Sequence, residues 1–117
     1  ILARCEIEVL SGDDSLTLPM MAVGGVGVIS VASNVAPKAV ADMVHAALQG
    51  DWQPARELHR RYYRLFTDLF LDTNPIPVKA ALAMMGLIEE VYRLPLCETS
   101  AKGKEQLRGT LKVLGLI

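Results

Sequence analysis

Long apolar runs, aromatic side chains and a dominant charge are all scarce in this sequence. Aromatic residues make up 5% of the 117 positions, and the formal net charge is -1. With neither charge sign in excess, there is no electrostatic ground for proposing nucleic acid or an anionic membrane surface as a partner. A membrane-spanning helix needs about 18–20 consecutive apolar residues. The longest candidate, Leu18 to Ala36, is interrupted by Pro19, Gly24, Gly25, Gly27, Ser30, Ser33 and Asn34. Turns and a short strand suit that stretch better. No charged segment followed by an apolar run and a cleavage site opens the chain, so no secretory signal is read. There is no initiator methionine either. The opening at Ile1-Leu2-Ala3-Arg4 leads us to expect a piece of a longer protein. Cys5 and Cys97 are the only cysteines and are far apart, without CxxC or metal-type spacing. They are expected to be reduced thiols of a cytoplasmic protein.

What is present is enough for a packed core, since 51% of the residues are hydrophobic. The length suits one small domain. Ile7, Val9 and Leu10 form a short β-prone run that ends at Ser11-Gly12-Asp13-Asp14, a turn able to open a helix. Leu16 to Val23 fits a short helix that tolerates Pro19 in its first turn and is closed by Gly24-Gly25. Val26 to Val31 is β-branched and almost continuously apolar, which predicts a strand buried on both faces. Val40, Met43, Val44, Ala47 and Leu48 then recur at helical spacing before Gly50. Asp51 is placed to cap a long helix with Leu58, Tyr62, Leu65, Phe66 and Leu69 on one stripe. Asn74-Pro75-Ile76-Pro77 breaks it, and a further helix is expected from about Val78 to Met85, before Gly86. Arg93-Leu94-Pro95-Leu96 reads as an extended connector. Thr99 or Ser100 caps a last helix carrying Leu107, Leu111 and Leu114, with Gly115 at its end.

Strands alternating with helices point to βαβ units and a parallel sheet. Two short parallel strands cannot cover their own faces and edges. At this point the ordered set of motifs is informative. Leu10-Ser11-Gly12-Asp13-Asp14, then Gly24-Gly25-Val26-Gly27-Val28-Ile29-Ser30-Val31 with Asn34-Val35, then Asn74-Pro75-Ile76-Pro77-Val78-Lys79 and Arg93-Leu94-Pro95-Leu96 resemble the last third of the dihydrodipicolinate synthase family. The likeness covers about Ile7 to Ile117. It implies an α/β fold, the C-terminal part of a (β/α)8 TIM barrel followed by a C-terminal helical domain. Residues 1–50 would be the last two β/α units, with Ile7 to Ser11 as the seventh strand and Val26 to Val31 as the eighth. Residues 51–117 would be the helical domain. A whole barrel takes roughly 250 residues, so absent strands would supply the uncovered faces and edges.

By the same resemblance, the whole enzyme is a lyase of lysine biosynthesis. It condenses pyruvate with L-aspartate 4-semialdehyde through a Schiff base on a sixth-strand lysine, whose desolvation frees the amine as a nucleophile. No position here matches that lysine, since the first lysine is Lys38, past both strands. The tyrosine and threonine proton relay has no match either, and Tyr62, Tyr63 and Tyr92 fall among helices. Catalytic residues are therefore expected outside this chain, and the chain alone is expected to be inactive. The substrate-binding residues implied are Gly12, Asp13, Asp14, Ile29 and Ser30, at the C-terminal strand ends where barrel sites sit. Gly12 would allow close backbone approach. Asp13 and Asp14 would hold the polar substrate or order the loop, with helix capping as the alternative. Ile29 would present its backbone carbonyl to pyruvate, and Ser30 would be a wall residue. The resemblance implies no cofactor and no metal, and a homotetramer.

In the related sialic-acid lyases the turn reads Gly-x-Asp-Glu, and Ser15 stands where that Glu would be. Other pyruvate-dependent class I aldolases stay open, as does a non-catalytic scaffold module. His45 and His59 lie at no metal-ligand spacing. Arg56, Arg60, Arg61 and Arg64 form a basic helix face with Glu57 as a pairing partner. Gly24-Gly25-Val26-Gly27 precedes a strand, so it is not a dinucleotide fingerprint. The pairs Met20-Met21 and Met84-Met85 read as core filler.

Overall fold

The computed structural model describes residues 1 and 3–117. In chain order its elements are β1 (Leu10–Ser11), α1 (Thr17–Ala22), β2 (Gly27–Val28), α2 (Pro37–Leu48), α3 (Trp52–Asp68), α4 (Ile76–Met84) and α5 (Ala101–Leu114). Short 3-10 turns occupy Asp14–Leu16 and Ala32–Asn34. The chain divides into compact units, Ile1–Arg61 and Tyr62–Ile117. That division falls inside α3.

In the first unit β1 and β2 run parallel, with Leu10 opposite Gly27 and Ser11 opposite Val28. Both strands are shorter than Ile7 to Ser11 and Val26 to Val31. Two flanking bonds extend the pairing: Val26 N–H donates to Val9 O at 2.9 Å and Ile29 N–H to Ser11 O at 2.8 Å. Beyond them the ladder stops for a local reason. Val31 is helical (φ -85°, ψ -42°) at the start of the second 3-10 turn. The N–H groups of Val31 and Ala32 are taken by the Asp14 carboxylate and are lost to any sheet partner. At the other end Ile7 is exposed.

α1 packs on α2 and on both strands. Leu18, Met21, Ala47 and Ala55 form one buried cluster, with Val44, Ala46 and Trp52 against it. The α2 stripe is as expected except for Leu48, which is exposed. The Gly24-Gly25 pair reverses the chain between α1 and β2 by separate means. Gly24 sits at φ 104°, which side chains disfavour. Gly25 donates to Met20 O at 2.9 Å, and a Cβ there would lie 3.0 Å from that same oxygen.

In the second unit Leu65 and Phe66 on α3, and Leu69 just past its end, are buried, as their spacing predicts. α4 starts at Ile76, two residues before the expected Val78, because Pro77 is accommodated in the first turn, where no N–H is required. α4 packs on α5. Ser100 caps α5, accepting from Gly103 N–H at 3.1 Å. Leu107 and Leu111 are buried. The segment Arg93 to Leu96 turns where an extended connector is expected, since Leu96 N–H donates back to Arg93 O at 2.9 Å. Asp68, only 3% exposed, joins α3 to α5: its carboxylate accepts from Gln106 Nε2 at 2.8 Å and Thr110 Oγ1 at 2.5 Å. Arg64 Nε lies 3.5 Å away.

Glycines in the two units should respond to substitution in opposite directions. Gly25→Ala is expected to destabilise by about 1–3 kcal/mol, because the new methyl meets backbone that cannot move aside. Gly109 lies within α5, and a Cβ there meets nothing within 4 Å. Gly109→Ala is expected to stabilise by up to ~1 kcal/mol through helix propensity alone. Urea unfolding midpoints measure both; equal signs would contradict this packing.

Candidate functional site

The strand pair sets the geometry of the candidate site. Because β1 and β2 are parallel and in register, both chains leave the ladder at the same end. Gly12 follows Ser11 and Ile29 follows Val28, so these residues are neighbouring tips joined by the Ile29 N–H to Ser11 O bond. Ser11 is fully buried. Its hydroxyl donates to Asp13 O at 2.7 Å and accepts from Asp13 N–H at 3.2 Å, which closes the turn tightly around Gly12.

The two aspartates that follow have different tasks. Asp13 Oδ1 accepts from Ser15 N–H and from the Ser15 hydroxyl, each at 2.7 Å, capping the first 3-10 turn. Asp14 is 1% exposed and reaches across to the other tip. Its Oδ1 accepts from the Ser30 hydroxyl at 2.5 Å. Its Oδ2 accepts from Val31 N–H at 3.0 Å and Ala32 N–H at 2.9 Å. A carboxylate at the start of a helical turn satisfies donors that have no partner within the turn. Leaving such buried donors unmet costs about 1–3 kcal/mol each. Ser30 is held further, since its Oγ accepts from Ser33 N–H at 2.8 Å.

The structure therefore brings Gly12, Asp13, Asp14, Ile29 and Ser30 together at one end of the strand pair. It gives the Asp13 and Asp14 carboxylates capping and bridging partners within the chain. The Ile29 side chain is 69% exposed. A Cβ on Gly12 would meet nothing within 4 Å, and its φ lies outside the left-handed range. A separate groove of ≈ 330 Å³ lies between the strands and α2, lined mainly by apolar groups such as Leu10, Val28, Val40 and Val44. Ser30 borders it, but Gly12, Asp13, Asp14 and Ile29 do not. Among the described residues, no group of three or more His, Cys, Asp or Glu could hold a metal ion. None of their helices is long and apolar enough to cross a membrane.

Besides the Asp68 link between α3 and α5, two polar features are not signalled by the sequence. One is the bridge from Asp14 to residues 30–32. The other is a cluster in the second unit around the irregular segment 87–100. There Lys104 Nζ lies 2.8 Å from the Glu90 carboxylate and 2.7 Å from that of Glu98. The Tyr92 hydroxyl lies 3.0 Å from Glu90 Oε1 and 3.2 Å from Ile76 O. Lys79 donates to Val91 O and sits 5.2 Å from the Tyr92 ring centroid, a cation–π arrangement. Burial and the Glu90 carboxylate push the Tyr92 hydroxyl up to about 12. Burial would raise Glu90, but hydrogen bonds from Lys104 and Tyr92 hold it below the usual carboxylate range. Hydrogen bonds to Glu90 and Glu98 raise Lys104. These groups stabilise one another's ordinary charge states, so the cluster acts as a latch on the segment. The only usable signal was an acidic pair, Glu89-Glu90, facing a lysine-rich helix start.

Comparison with known proteins identifies the family. The sequence matches the profile of the dihydrodipicolinate synthetase family over residues 1–114. It is 51% identical over 117 residues to the 4-hydroxy-tetrahydrodipicolinate synthase of Persephonella marina, covering 99% of this chain and 40% of the relative. It is 54% identical over 117 residues to that of Methanocaldococcus jannaschii, covering 100% and 40%. The crystal structure of dihydrodipicolinate synthase from Thermotoga maritima superposes with a TM-score of 0.94 at 47% identity, over 99% of this chain and 39% of that one. The chain belongs to the dihydrodipicolinate synthetase family. It spans about 40% of the length of these curated relatives.

The latch carries a pH dependence. A raised tyrosine stabilises the fold fully below its unfolded value of 10.0, and this is lost as pH climbs towards about 12. A lowered carboxylate acts in reverse: the Glu90 contribution is present above the ordinary value of 4.5 and fades as pH falls through its lowered one. Denaturation midpoints against pH are expected to decline at both ends. Tyr92→Phe should remove the alkaline decline and, by taking one hydrogen bond from Glu90, also shrink the acid one; an unchanged alkaline slope would contradict the coupling.

Proposed function

We propose that this chain is the C-terminal part of a 4-hydroxy-tetrahydrodipicolinate synthase, cytoplasmic and acting in lysine biosynthesis. In this reading residues 1–50 are the last two β/α units of a (β/α)8 barrel and residues 51–117 its helical domain. The whole protein joins pyruvate to L-aspartate 4-semialdehyde. A lysine amine from another part of the protein adds to the keto carbon of pyruvate and water leaves, forming the Schiff base. Assembly into a homotetramer belongs to the same reading.

The observation that carries the proposal is the pair of neighbouring tips, Gly12 and Ile29, at the C-terminal end of parallel strands, in a chain about half identical to synthases of known name. Barrel enzymes place their chemistry at that end. The strands support it in a second way: each pairs only with the other among the described residues, and parallel sheets are normally covered and extended. Gly12 has room for a side chain and an ordinary backbone conformation. In this reading the open space beside Gly12 admits a group from outside this chain, such as a substrate passing close to the backbone. Ile29 contributes its carbonyl to the keto-acid pocket, and Ser30, Asp13 and Asp14 form the wall behind it.

Borohydride reduction with pyruvate, followed by peptide mass mapping, tests this reading. In the full-length protein a reduced pyruvyl adduct is expected on a lysine outside these 117 residues. This chain alone should give neither adduct nor turnover. An adduct on Lys38 or Lys79, or turnover by the chain alone, would overturn the assignment. Absence of any adduct in the full-length protein would favour a non-catalytic scaffold. A rate with another aldehyde exceeding that with the semialdehyde would point to a different pyruvate-dependent aldolase.

A further inference from the structure

We infer that Asp14 is a positioning residue: it orients the Ile29 carbonyl towards the keto acid and does not itself touch substrate. The inference rests on the functional reading above and adds a division of labour within that site. The peptide unit carrying the Ile29 carbonyl lies between fixed points. On its N-terminal side, the Ile29 N–H is bonded to Ser11 O at 2.8 Å, the last bond of the ladder. On its C-terminal side, the Ser30 hydroxyl and the Val31 and Ala32 N–H groups all bond to Asp14, at 2.5, 3.0 and 2.9 Å. Only a few backbone torsions separate the anchors, so the carbonyl direction follows from where Asp14 sits.

Asp14 is well suited to the task and poorly suited to binding substrate. Its side chain is buried at 1% exposure, and both oxygens already accept hydrogen bonds from the opposite tip. Ser30 is restrained a second time, by Ser33 N–H at 2.8 Å, so a shift of Asp14 moves Ser30 and the start of the 3-10 turn together. Positional errors near 1 Å in a binding group are enough to weaken a contact that depends on direction.

Asp14→Asn in the full-length protein separates positioning from folding. Asparagine keeps the shape and can still accept the two backbone N–H groups. Its NH2, however, faces the Ser30 hydroxyl, which loses its acceptor. The expected result is a rise in KM for pyruvate of about 3- to 10-fold, the scale of one misdirected hydrogen bond. KM for the aldehyde and the far-ultraviolet circular dichroism should stay unchanged. Ser30→Ala removes a single link and should show the same pyruvate-specific rise, smaller in size, even if Asp14→Asn fails to fold. An unchanged pyruvate KM in Ser30→Ala, or equal losses for both substrates in Asp14→Asn, would overturn the inference. An inactive unsubstituted protein would instead bring down the functional reading, and this inference with it.

Discussion

A parallel ladder of two residue pairs, Leu10 with Gly27 and Ser11 with Val28, is the constraint on which the candidate site depends. Parallel pairing obliges both strands to leave at the same end, so Gly12 and Ile29 become neighbours whatever the loops then do. A slip of one residue would turn the side chains of one strand to the other face and would part the two tips. So short a ladder is weak alone. The Asp14 carboxylate reinforces it by drawing the residues after β2 onto the turn after β1. Its buried position makes each bond count for more, since a donor left unmet there has no water to turn to.

The second unit is held by the same kind of device. Asp68 stands buried at the end of α3 and takes hydrogen bonds from Gln106 and Thr110 on α5. The irregular segment between α4 and α5 is then secured by Lys104, Glu90 and Tyr92. In both units a buried carboxylate links parts of the chain that lie far apart in sequence.

Local features were legible in the sequence and distant ones were not. The helices of residues 37–48, 52–68 and 101–114 follow from apolar spacing, and their ends from Gly50, Ser100 and Gly115, because those signals act within a turn or two. The strands are shorter than the β-branched runs predict. The β-branched run to Val31 says nothing about a carboxylate that captures its last N–H groups from 17 and 18 residues away. For the same reason nothing local marks Asp68: its partners lie 38 and 42 residues ahead. The motif order is sufficient to point to the family. What motifs alone left open was how Asp13 and Asp14 divide their work. The structure gives Asp13 a local cap and Asp14 a bridge.

The most direct measurement is a crystal structure of the full-length protein with pyruvate trapped on its lysine. The account predicts the pyruvyl group against the tips, with the Ile29 carbonyl oxygen about 3 Å from one of its polar atoms and Asp14 still bonded to Ser30, Val31 and Ala32. Pyruvate bound at the opposite end of β1 and β2, with Gly12 and Ile29 facing solvent, would contradict it.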